Sequence, residues 1–130
     1  MEIKASVCYW TELSEYDLET AKIMNDTKRY LYVGFMCHQT IEKIFKAYYV
    51  LKRKGLPPHT HNLTKIANSG VFYNELSDQQ KDVIDMLEPL NIEARYPTHK
   101  ERLLKELNKE YCSILLEQTE ALYLWIKEKL

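Results

Sequence analysis

The chain has 130 residues, 45% apolar and 28% charged, with 18 Lys and Arg against 19 Asp and Glu for a net charge of -1. That length supports one domain, 1–130, with a core that needs neither metal nor disulfide. The near-neutral balance excludes a global basic field that would draw the chain onto nucleic acid, so any anion binding must come from a local patch.

Cys8, Cys37 and Cys112 are far apart and form no CxxC pair, which reads as reduced core thiols in a cytoplasmic protein. The first residues carry no apolar leader core. No stretch approaches the roughly eighteen apolar residues that a membrane helix needs. The expected setting is therefore cytoplasmic, with no membrane partner.

The first helix is marked by Trp10, Leu13, Tyr16 or Asp17, Ala21 and Met24 at steps of three and four. A second spans about 29–53, with Val33, Met36, Thr40 or Ile41, Ile44, Ala47 or Tyr48, and Leu51 along its apolar face. Gly55, able to turn left-handed, and then Pro57 and Pro58 give its stop. A short helix follows, capped by Asn62 and ended by Gly70. Ser77 with Gln80 three residues on is a capping box that opens a helix over Val83, Ile84 and Leu87, expected to stop near Pro89. A last helix is expected from Thr98 to the C-terminus along Leu104, Leu107, Tyr111, Leu115, Gln118, Leu122 and Trp125. The expected fold is all-α, an up-and-down bundle of four long helices plus a short fifth. The first and last helices carry apolar stripes wide enough for a homodimer.

Two stretches carry candidate chemistry. At the entrance of the last helix, Thr98 and Glu101 form a capping-box pair, with His99 in the first turn and Arg95 and Tyr96 just ahead. Helix-start amides favour a phosphate, and their field disfavours imidazolium, so His99 leans neutral. Arg95 offers a planar fork matched to phosphate oxygens. The plain alternative is a capped helix start with incidental charges, Arg95 pairing with a carboxylate and Tyr96 lying in the core.

On the second helix His38, Glu42 and Lys46 recur every four residues, with Gln39 and Lys43 on the adjoining rail. Spacing alone favours a solvated face with a Glu42–Lys46 pair worth about 0.2–0.5 kcal/mol. The functional reading is that this stripe faces the last helix's entrance and completes a shallow polar cleft. His59 and His61 make an HxH pair, but no Cys or carboxylate falls at ligand spacing, so neither a metal nor a cofactor is expected. A Gly-rich phosphate loop, a GxSxG elbow and an HExxH helix are all missing from the sequence.

Trp10, the run Q-x-x-E-K-x-x-K-A over 39–47, the loop 55–63 that begins at Gly55 and carries Pro57, Pro58, Thr60 and His61, and the A-R-Y-P of 94–97 together resemble the HEPN family. The resemblance implies a nucleotide-binding helical bundle, usually dimeric and often paired with a minimal nucleotidyltransferase as a toxin–antitoxin-like couple. It also implies, for catalytic members, a metal-independent endoribonuclease with an Arg, four to six intervening residues and a His. There the His acts as general acid or base while the Arg stabilises the charged phosphorane. Arg95 and His99 have three residues between them, and Glu101 stands where some toxins carry a modified Tyr. The expectation is a binding module whose ligand residues are His38, Gln39, Glu42, Lys43, Lys46, Arg95 and Tyr96. Its alternatives are a ribonuclease toxin with Arg95 and His99 catalytic, and a structural adaptor without ligand.

Overall fold

A computed structural model describes residues 2–93 and 97–130, with side chains for all of these except 92, 93 and 97–100. The described residues form six α-helices and a single 3-10 turn, without a strand. In chain order these are α1 (Ile3–Asp26), α2 (Tyr30–Arg53), α3 (Leu63–Ser69), the 3-10 turn (Tyr73–Glu75), α4 (Asp78–Glu93), α5 (Pro97–Glu106) and α6 (Lys109–Lys127).

The helix at the centre is α2. It packs most extensively on α1 and also meets α6, α4, α3 and α5. Ile41, Ile44 and Phe45 are fully buried, each stabilising the fold by roughly 1.5–3 kcal/mol. Phe45 meets Phe72 edge to face at 5.2 Å, tying α2 to the turn after α3. Gly34 eases the close approach of α4 and the end of α5, since a Cβ there would lie 3.0 Å from one Leu90 methyl and 3.3 Å from a Leu107 methyl. Polar groups also fix the α1–α2 seam: Ser14 Oγ donates to the Thr40 carbonyl at 2.7 Å, and Lys43 pairs with Asp17.

Two start signals act as expected. Asn62 accepts from the Lys65 amide at 3.0 Å and caps α3. Ser77 and Gln80 exchange both bonds of a capping box at 3.1 and 2.8 Å.

Five details depart from expectation. The left-handed residue that closes α2 is Lys54 (φ 54°, ψ 41°), because its own amide bonds the Val50 carbonyl at 2.8 Å and the chain turns there, ahead of Gly55. Pro89 does not end α4, which continues to Glu93. Pro89 and Asp85 are both exposed, so the carbonyl that loses its amide partner faces water. The last helix is broken in two, since Asn108 accepts from the Tyr111 amide at 2.9 Å and starts α6 afresh. The break turns Leu103 into the core and leaves Leu104 exposed. Finally, α5 opens at Pro97, whose missing N–H has no cost at a first helical position, so Thr98 lies inside the helix.

Candidate functional site

The polar stripe of α2 is not a solvated face. His38, Gln39, Glu42 and Lys46 are all buried, and every residue from Cys37 to Glu42 is enclosed by neighbouring elements. The physical reason is that α1, α6, α4 and α3 all pack on α2 and the loop before α3 reaches Glu42 through His61, leaving α2 little outer surface. Enclosed charge must be paired, because an isolated ion loses far more hydration than the interior returns.

The pairing is specific. Glu42 Oε2 receives Lys46 Nζ at 3.2 Å, and Glu42 Oε1 receives His61 Nδ1 at 2.8 Å. A carboxylate can only accept, so His61 donates from Nδ1 and a neutral ring keeps Nε2 as its acceptor. His38 is fully buried, its Nδ1 at 3.9 Å from Glu42 Oε1, beyond hydrogen-bond range. At the other end Gln39 Nε2 donates to Asn91 Oδ1 at 3.0 Å, fastening the rail to the end of α4. Lys43 faces away from this line and is committed to Asp17.

Below Glu42, the Glu88 carboxylate accepts from the Leu63 and Thr64 amides at 2.6 and 3.2 Å, anchoring the start of α3. Burial raises the titration of Glu88, with Asp85 and Glu42 adding to the effect against the two amide bonds.

Lys46 marks the C-terminal end of the rail. Its ammonium sits 5.3 Å from the centroid of the Trp10 ring, a cation–π distance. It lines a cavity of about 360 Å³ bounded by Tyr9, Trp10, Pro57, Pro58 and His59. One wall is thus supplied by α1 and the other by the loop that His61 ties to Glu42. A second cavity of about 310 Å³ lies between α4 and α6, with no ionisable side chain in its lining. Among the described residues no three His, Cys, Asp or Glu side chains gather in a metal-holding group, and no helix is long and apolar enough to cross a membrane.

The structure therefore brings together His38, Gln39, Glu42 and Lys46 and sets Lys43 apart. Arg95 and Tyr96 lie outside the described residues, as does the side chain of His99. Sequence reasoning missed the His61–Glu42 bond, Asn91 and the Trp10–Lys46 pairing. Periodicity reports which residues share a helix face and carries no signal for partners on other elements.

The class of protein that fold and site define is a small helical bundle with an enclosed acid–base rail that opens at one end on an aromatic and cationic cavity. The chain belongs to the HEPN domain family, whose profile matches residues 7–130. This family places it, in general terms, among nucleotide- and RNA-related modules. The fold is also similar to that in the crystal structure of TT1696 from Thermus thermophilus, with a TM-score of 0.81 at 16% identity, covering 95% of this chain and 98% of that one. No curated protein matches the chain.

Proposed function

We propose that this protein is a nucleotide- or RNA-phosphate-binding module that acts as a homodimer and partners a minimal nucleotidyltransferase in a toxin–antitoxin-like pair. The observation that carries the reading is the enclosure of Glu42 and Lys46 beside His38 on one helix. A helix needing only stability would do as well or better with apolar residues there, whereas such groups cluster where a ligand is to be held. Gln39 holds Asn91, and Arg95 and Tyr96 follow four and five residues later in sequence. Both belong to the proposed phosphate-binding set, with His99 as the candidate proton-transfer group.

The dimer is supported by α1, which leaves Tyr16 and Ile23 exposed seven residues apart, and by exposed Ile114 and Leu124 on α6. Exposed apolar side chains on helix surfaces suit a helix-to-helix contact.

Calorimetry with nucleotides and short RNAs, together with pull-down of a genetically neighbouring nucleotidyltransferase, tests the proposal. Binding in the first and capture in the second are expected. Absence of both overturns it.

A further inference from the structure

The cavity at the end of the rail has a chemistry of its own. Its walls are mainly apolar: Tyr9 and Trp10 meet edge to face at 5.3 Å on α1, and Pro57 and Pro58 stand on the loop side. Its polar end is Lys46, whose side chain is only 9% exposed yet lines the space. An ammonium has three donors, and Lys46 directs one at Glu42. The remaining donors, at the edge of a cavity that also reaches His59, suit an anionic oxygen. A flat apolar body beside a fixed anion is the shape that such a lining accepts.

We infer that this cavity is a mononucleotide-sized subsite, with the phosphate held by Lys46 and His59 and the base lodged between the Tyr9–Trp10 wall and Pro57–Pro58. The inference rests on the nucleotide-binding reading above and adds a mononucleotide subsite at the Lys46 end of the rail, the end away from Gln39 and Asn91. Size restricts the ligand: about 360 Å³ lies at the small end of ligand pockets, which run roughly 300–1,000 Å³. A single nucleotide fits and a folded polynucleotide does not. Aromatic walls recognise any base through its π-face, so discrimination falls between nucleotides and bare phosphates more than among the four bases. The loop wall is held through the His61–Glu42 bond, so the cavity is formed before the ligand arrives.

Trp125→Phe leaves Trp10 as the one tryptophan, since the chain has two. Titration of that protein with adenosine 5′-monophosphate is expected to change its fluorescence saturably. Ribose 5-phosphate is expected to bind roughly tenfold more weakly, in the range that base–aromatic stacking supplies. Trp10→Leu is expected to abolish the preference while retaining ribose 5-phosphate binding. Leu56 is 83% exposed at the cavity rim, so Leu56→Asp tests the site without disturbing the core; it is expected to weaken the nucleotide by charge repulsion, with unchanged circular dichroism.

Equal affinity for the two phosphates overturns the subsite, and so does nucleotide binding that leaves Trp10 emission unmoved. Binding of a labelled short RNA without any mononucleotide binding removes the subsite and leaves the broader reading standing. Failure of both ligands removes the two together.

Discussion

His61 Nδ1 and Glu42 Oε1 are 2.8 Å apart, joining a loop residue half in solvent to a carboxylate enclosed on α2. The bond fixes one wall of the cavity while Lys46 takes the other oxygen of the same carboxylate at 3.2 Å. Removing either side has unequal consequences. Glu42→Ala leaves the Lys46 ammonium enclosed against the Trp10 ring without its carboxylate, and such losses cost about 3–5 kcal/mol. His61→Ala removes a half-exposed partner and is expected to cost about 0–1 kcal/mol. Urea unfolding of the two variants checks this, and equal midpoints contradict it.

The exposed stripe of α1 predicts a concentration-dependent dimer. Tyr16→Glu and Ile23→Glu place charges on residues that are 69% and 57% exposed in the single chain. They are therefore expected to leave the fold intact and to shift sedimentation from dimer toward monomer. A wild-type protein that sediments as a monomer at all concentrations, or variants that sediment as it does, count against the stripe.

Thiol chemistry separates the three cysteines. Burial pushes Cys37 up to about 12 and Cys112 up to about 11, leaving almost no thiolate at neutral pH. Cys8, expected in the core with the other two, is exposed on α1 instead, but its hydrogen bond to Glu12, and that group's charge, raise it too. An aromatic disulfide reagent is expected to titrate one thiol in the native protein and all three in denaturant. Removing the carboxylate lowers the Cys8 pKa and increases its thiolate, so Glu12→Gln should react faster than wild type. Rapid reaction of three native thiols contradicts the assigned burial.

Much of this fold follows from local rules that a sequence displays. Asn62, Ser77 with Gln80, and the three-and-four spacing along α2 act through residues a few positions apart. Hidden from such rules were effects of solvent geometry and of distant partners. Pro89 is tolerated because it faces water, a property of the assembled bundle. Leu104 and Leu107 continued a helical rhythm that concealed the new cap at Asn108. The rail was legible as a spacing, but its enclosure was not, because polar residues every four positions look the same on an outer face and against a covering loop. Nothing local joins Trp10 to Lys46, 36 positions apart, and only the pairing of α1 with α2 brings them together.

Glu88 gives the fold a pH signature of definite sign. Burial disfavours its charged form and raises its titration above the ordinary 4.5, outweighing the two amides that it accepts from. A carboxyl raised in the native state binds more protons there than in the unfolded chain, so its contribution to stability grows as pH falls through the window above 4.5. Glu75 has the opposite sign: burial works against its charge, but bonds to Lys52 and Tyr48 prevail and lower it. A difference measurement is therefore needed. Glu88→Gln keeps a side-chain oxygen for the Leu63 amide and cannot ionise. Relative to wild type, its stability is expected to be most favourable at pH 7, and that advantage should shrink steadily toward pH 4.5. Chemical denaturation of both proteins across this range measures the gap, and a gap that stays constant or widens on acidification contradicts a raised Glu88.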